Sequence, residues 1–293
     1  MKSTALERLS RWFIYMFLII LALGTILPFM HVIAKSVSNE GSVIAGRVYF
    51  WPEGFQIGTY RYVLDTDLFR SSFWVSVRVT VIGTVGAIIM TALAAYPLSK
   101  PELVGRKPLM LVFIFIMLFS GGMIPNYMLF RTLGLLNTTS ALIFPGMLSV
   151  FNILLFKTFF EQLPQEVEES ARIDGATNLR TLFTIIVPMS MPVIATVILF
   201  YAVGYWNNYF SSVLYITQPA RRSLQHYLYE LIVMTMTAPD ANVMNVDMEL
   251  YRNVTPDSIR STTIMLTTFP ILVVYPFLQK YFVAGINIGS VKG

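Results

Sequence analysis

Five carboxylates and two guanidinium groups crowd one part of a chain that is otherwise poor in charge: Glu161, Glu166, Glu168, Glu169 and Asp174, with Arg172 and Arg180 among them. The island spans residues 163–192 and reads LPQEVEESARIDGATNLRTLFTIIVPMSMP. Acids at this density suit acid–base work, metal binding, or contact with a partner protein. Nothing around them resembles a triad, a carboxylate dyad in a cleft or a ligand cluster. The chain has no cysteine and only two histidines, His31 and His226, which excludes a thiolate site and leaves little for a metal. Docking is the chemistry that remains.

Local sequence chemistry predicts the element that presents these groups. Pro164 suits a first helical turn, where its missing N–H costs nothing, and the glutamates after it sit at the positive end of the helix dipole. Glu168 and Arg172 are four apart, in the favourable order for a surface pair. Gly175 offers a left-handed residue just past the helix end, and Thr177 can cap a second helix running towards the membrane. The expectation is a short, exposed, acidic helix, a glycine turn, and a further helix entering the bilayer.

These residues also resemble the EAA loop of ABC importer permeases. Glu169-Ser170-Ala171 is followed after three residues by Gly175, and after nine more by Ile185-Ile186-Val187-Pro188. Ser170 stands where the family has a second alanine and Val187 where it has leucine, both small changes in volume. The resemblance implies that 161–184 is a cytoplasmic coupling loop whose helix sits in a cleft of a separate ATPase. Glu166, Glu168, Glu169, Ser170, Ala171, Asp174 and Gly175 would then make the coupling contact. An ordinary loop between two spans is the alternative.

The rest of the chain reads as membrane. Of 293 residues 55% are hydrophobic and 13% charged, and the mean hydropathy is +0.64, outside the range of soluble domains. Six apolar runs reach the ~20 residues a spanning helix needs: 12–33, 73–98, 108–128, 140–160, 185–210 and 262–283. This predicts an all-α membrane protein with one permease domain over 1–293. Lys2, Arg8 and Arg11 precede the first run, which is too long for a signal peptide and lacks a clear cleavage site. With an inside N-terminus, the inner segments hold ten Lys and Arg over sixty-one residues and the outer ones nine over ninety-five. That density places both termini and the acidic loop in the cytoplasm. Arg78 and Lys280, near span ends, can snorkel to water. The net charge of +5 suits anionic lipid better than nucleic acid.

Other groups bear on a pathway. Span two carries Gly83, Ala87, Thr91 and Ala95 at four-residue spacing, a stripe for close helix packing. Span three ends in Ser120-Gly121-Gly122-Met123-Ile124-Pro125-Asn126-Tyr127, a sequence that either breaks a helix beside a cavity or ends it. Asn152 in span four and Trp206-Asn207-Asn208-Tyr209 at the end of span five are candidates to face a pore. Amides in lipid are costly, and rings flanked by amides suit sugars, although aromatics at a span end also form an interfacial belt. Pro270 and Pro276 should kink span six.

No G-x-x-x-x-G-K-[ST] occurs, and no acid falls within a proposed span. A nucleotide site in this chain is thereby disfavoured, as is an ion-coupled carrier. A membrane scaffold that merely recruits a soluble partner is a further alternative. Beyond the acidic loop, the SGGMIPNY and WNNYF runs and the tail Gly289-Ser290-Val291-Lys292-Gly293 resemble carbohydrate (maltose-type) permeases. The similarity is to the oligosaccharide and polysaccharide branch, which includes the bacterial alginate importer. It implies a type I ABC importer permease fold in the bacterial inner membrane that carries an oligosaccharide, acidic fragments among the options. No cofactor is expected in this chain, with ATP and Mg2+ held by a partner ATPase dimer. Further implied partners are a second related permease chain, the lipid bilayer and a periplasmic or surface solute-binding protein met by the 213–261 loop. Only Arg78 and Arg131 offer positive charge for an acidic sugar.

Overall fold

Apolar side chains all round a helix leave it no polar face to turn to water, and the first helix has that character. α1 (Ala5–Ser36) carries exposed rings and aliphatic chains along its length, and its most apolar window is 0% buried. In the computed structural model residues 5–237 and 254–289 are described. Part of the 213–261 segment (238–253) and the tail from Ser290 lie outside them, as does the Lys280 side chain.

Every regular element among the described residues is helical. α2 (Glu40–Ile44), α3 (Gly58–Asp65) and the long α4 (Asp67–Ser99) follow α1. At 33 residues α4 is about 50 Å long, more than the ~30 Å hydrocarbon core. Three helical stretches are long and apolar enough to cross it singly: Leu9–Ser36, Asp67–Ser99 and Pro256–Pro276. Three bent pairs qualify only if each pair is taken as one span.

Each bend has a local cause. α5 (Arg106–Leu118) and α6 (Met123–Thr132) meet at 107°, across Ser120-Gly121-Gly122, where Gly122 takes φ +85°. α7 (Thr139–Ile143) continues through a tight turn at Phe144-Pro145-Gly146, and α8 (Val150–Phe160) departs at 52°, with Ser149 as its cap. After the acidic helix α9 (Gln165–Ile173) come α10 (Asn178–Thr181), one wide π turn at Leu182–Ile186, and α11 (Val187–Met189). α12 (Met191–Asn207) then leaves at 88°. At that break the Ser190 N–H donates to both Ile186 O (3.0 Å) and Val187 O (3.1 Å), and Pro192 has no N–H to continue the ladder. α13 (Phe210–Tyr215), α14 (Leu224–Thr237) and α15 (Pro256–Gly289) complete the chain. α15 runs uninterrupted through Pro270 and Pro276.

By contact the chain divides into two units. The larger comprises 70–227 and 270–293, with its core where α4, α8 and α12 meet around Phe156, Ile153, Val197 and Ile186. The small-residue stripe of α4 is buried at all four positions. A Cβ on Gly83 would stand 2.8 Å from the Tyr205 ring, so glycine here admits α12. One turn pair further on, Thr91 Oγ1 and Tyr201 OH share a hydrogen bond of 2.7 Å between the same two helices.

The smaller unit comprises 1–69 and 228–269 and is knotted at one carboxylate. Glu40 Oε2 accepts from Thr255 N (2.9 Å), Thr255 Oγ1 (2.7 Å) and Ser258 Oγ (2.8 Å), while Oε1 accepts from Thr59 Oγ1 (3.1 Å). An acid from another element thereby holds the residue before α15 by its N–H and hydroxyl, at the positive end of that helix. Lys35 and Arg260 flank it at Asp257. Glu40→Ala strands four donors, and hydrogen bonds to charged groups are worth ~1.5–3 kcal/mol each. We predict a lower midpoint of heat-induced aggregation in detergent; an unchanged midpoint would show that water replaces the carboxylate without loss.

Candidate functional site

The acidic helix is set by its two ends. Pro164 precedes α9 as its cap residue, and Gly175 (φ +77°) follows it. The Gly175 N–H bonds Arg172 O (3.0 Å) and the Ala176 N–H bonds Ala171 O (2.9 Å), the paired closure of a helix that ends in a left-handed glycine. Thr177 caps α10 by accepting from Arg180 N at 3.4 Å.

A nine-residue helix with a 3.6 period presents two faces. Glu166, Glu169, Ser170 and Ile173 form the exposed one, with Ile173 86% exposed. Arg172, Asp174 and Gly175 are exposed beside them, and so is Leu179 on α10. Glu168 and Ala171 face inward and are buried. Glu168 therefore does not sit on the surface with Arg172, as its spacing suggested. Lys100 Nζ forms an ion pair with it, Tyr96 OH donates to its Oε2 at 3.2 Å, and the Lys100 ammonium lies 4.6 Å from the centre of the Tyr96 ring. Tyr96 lies at the end of α4 and Lys100 just past it, so this carboxylate fastens α9 to α4.

A second carboxylate fastens the same turn to α8. Arg106 Nη2 pairs with Glu161, Arg106 Nε donates to Leu98 O at 2.9 Å, and Lys157 Nζ pairs with Glu161 at 2.8 Å. Beneath α9 these groups line a polar pocket of about 260 Å³ that includes Lys100, Glu161, Gln165, Glu168 and Arg172. No cluster of metal-ligating side chains occurs among the described residues. What this arrangement offers is mechanical: a short helix with one free face, tied by charge to the end of the long α4, while Glu161 holds the turn after α4 to the end of α8.

The residues expected on a pathway divide. Asn152 and Asn208 line one pocket of about 450 Å³ between α8 and α12, with Phe151, Phe200, Tyr201 and Tyr205. Asn208 spends its amide on Ser211, donating to Oγ at 2.9 Å and accepting from N at 3.0 Å, which starts α13. Trp206 turns the other way: it is buried edge-on to Phe73 (6.2 Å between ring centres) and lines an apolar groove with Val77 and Val274. Tyr127 stacks with Tyr215, and Tyr209 sits edge-on to Phe210. Asn126 and Asn207 are exposed. Sequence reasoning missed Phe151, Phe200, Tyr201 and Tyr205, because rings within an apolar run look like ordinary packing.

A sequence profile described as "Binding-protein-dependent transport system inner membrane component" matches residues 85–288. The chain is 42% identical over 290 residues to the polygalacturonan/rhamnogalacturonan transport system permease protein YtcP of Bacillus subtilis (strain 168), covering 98% of this chain and 99% of that protein. It is 44% identical over 272 residues to protein LplC of the same organism, covering 92% and 90%. Among solved structures, a chain in the crystal structure of a bacterial ABC transporter involved in the import of the acidic polysaccharide alginate superposes with a TM-score of 0.88 at 31% identity, covering 96% of this chain and 99% of that one.

Proposed function

Since this chain belongs to the family of binding-protein-dependent transport system inner membrane components, we propose that α9 is the part through which it receives work from an ATPase. The chain is a multi-pass permease subunit of an ABC importer and not itself an enzyme. As such it works with another permease, an ATPase and a solute-binding protein. In our reading ATP and Mg2+ belong to the ATPase, both termini and α9 are cytoplasmic, and the chain forms half of the pathway. Its substrate class is fragments of a uronate-containing polysaccharide. That class is taken from the relatives, one named for polygalacturonan/rhamnogalacturonan and one for the acidic polysaccharide alginate.

The observation that carries the coupling role is the division of α9 into a fastened face and a free one. Glu168 and Ala171 are turned into the protein, while Glu166, Glu169 and Ile173 are available to a partner. A push on the free face is passed to the end of α4 through the Glu168–Lys100 ion pair rather than lost in a loose loop. The chain has no cysteine, so single thiols can be placed without background. In the assembled complex Ile173→Cys is expected to cross-link to the ATPase subunit, and Ala171→Cys is not. Absence of any ATPase adduct at Ile173→Cys would remove α9 from the interface.

A further inference from the structure

The pocket between α8 and α12 contains a polar group that the fold leaves unspent. Asn152 is 4% exposed, lines the pocket, and its side-chain amide makes no hydrogen bond among the described residues. Its backbone N–H is already used by Ser149 Oγ. The tyrosine hydroxyls around it are taken: Tyr201 OH is shared with Thr91 Oγ1 and accepts from Ser149 N (3.1 Å), and Tyr205 OH donates to Ile143 O (2.9 Å). These two side chains therefore present ring surface to the pocket. Phe151 on α8 and Phe200 on α12 stand at its wall with ring centres 6.2 Å apart and planes 47° apart, both more than a third exposed. A Cβ on Gly204 would meet nothing within 4 Å, so that side of the pocket is left open by the missing side chain.

Burying an amide without a partner is costly, so neither a lipid tail nor an apolar side chain suits this position. Its natural complement has apolar faces for the rings and paired donor and acceptor groups for one amide. A sugar ring has both: C–H faces, and neighbouring hydroxyls that donate and accept. The lining has no ionisable side chain other than the two tyrosines, whose hydroxyls are spent, so nothing here neutralises a carboxylate. A volume of about 450 Å³ falls in the size range of small-molecule sites.

We propose that this pocket is a carbohydrate subsite that takes a neutral sugar face, with Asn152 bonding ring hydroxyls and Phe151 and Phe200 stacking on the ring. The carboxylates of an acidic substrate are held elsewhere in the complex. This rests on the transport reading above and deepens it, since it assigns the recognition of charge to other parts of the assembly.

The test uses the complete importer reconstituted in vesicles, with two probes: an acidic galacturonate oligosaccharide and its carboxyl-reduced, neutral counterpart, each with binding protein in excess. Uptake of the acidic probe by the wild type tests the parent reading separately, because its failure there would remove the substrate class before any variant is made. Asn152→Ala is expected to raise the half-saturating concentration by about tenfold, the loss of one or two neutral hydrogen bonds. Gly204→Leu, which fills the open side, should block uptake of both probes, provided the variant complex assembles and runs as one species. Asn152→Asp and Asn152→Lys should impair the acidic and neutral probes to the same extent. If Asn152→Lys improved the acidic probe while Asn152→Asp impaired it alone, the pocket would hold a carboxylate and the neutral assignment would be overturned. If Asn152→Ala and Gly204→Leu both transported as wild type, the cavity would be filled by the neighbouring permease rather than by sugar.

Discussion

Glu168→Lys is expected to abolish sugar uptake, Lys100→Glu to do the same, and the two together to recover much of it. The charges concerned are mostly withdrawn from water, with side-chain exposures of 21% for Lys100 and 11% for Glu168. Removing one partner of a fully buried pair costs ~3–5 kcal/mol; with this much residual exposure a figure on the order of 2–3 kcal/mol is appropriate. Since ~1.4 kcal/mol is a factor of ten in an equilibrium, either single change shifts α9 from mostly fastened to mostly loose. Reversal places two cations, or two anions, beside the Tyr96 hydroxyl, so it is worse than simple deletion. The exchanged pair keeps the attraction and leaves Tyr96 able to bond either group, since a phenol both donates and accepts. Two quantities separate coupling from mere stability: uptake, and ATP hydrolysed per sugar moved. A loosened α9 that still docks lets the ATPase cycle without moving α4, so the ratio rises while the complex stays assembled. Single variants with wild-type uptake and an unchanged ratio would show that the stroke travels by another route.

That fastening was not legible in the sequence, and the reason is physical. Glu168 and Arg172 satisfy the spacing rule for a surface pair, and local rules stop there. The partners that win, Tyr96 and Lys100, are 72 and 68 residues away, and only the approach of α4 to α9 makes them available. Features fixed within a few residues were readable: the left-handed Gly175, the Thr177 cap, the break at Ser120-Gly121-Gly122 and the small-residue stripe from Gly83 to Ala95. Each is dictated by backbone sterics, by the absence of a side chain, or by one side chain's bond to a neighbouring N–H. The 52° and 88° bends were hidden because hydropathy stays high through Gly146 and Ser190 while the backbone turns. Trp206 and Asn152 illustrate the same limit from opposite sides. Both are buried polar-capable side chains in apolar runs, yet one ring packs on Phe73 and the other amide lines a cavity. Which of them meets the apolar groove and which the cavity between α8 and α12 depends on the packing of the helices, which no spacing rule reports.

Gly175→Leu should stop transport while leaving the membrane fold in place. Glycine is required here by conformation rather than by space: φ is +77°, and a Cβ at this position would meet nothing within 4 Å. For an L-residue the left-handed region costs roughly 1–2 kcal/mol, and the two hydrogen bonds that close α9, from Gly175 N and Ala176 N, depend on that conformation. Relieving the strain means opening the closure, which lets Asp174 to Thr177 swing and breaks the fixed angle between α9 and α10. None of the bonds that hold α4, α8 and α12 together is involved, so the variant should reach the membrane and purify like the wild type. Asn, which tolerates the left-handed region, should retain more uptake than Ala, and Ala more than Leu, whose bulk also stands on the exposed docking side. That order distinguishes backbone strain from side-chain size: strain alone makes Ala and Leu equal, and size alone makes Asn and Leu equal. Full uptake by Gly175→Leu would mean that the angle between the two helices does not matter to coupling, and α9 would lose its standing as a rigid lever.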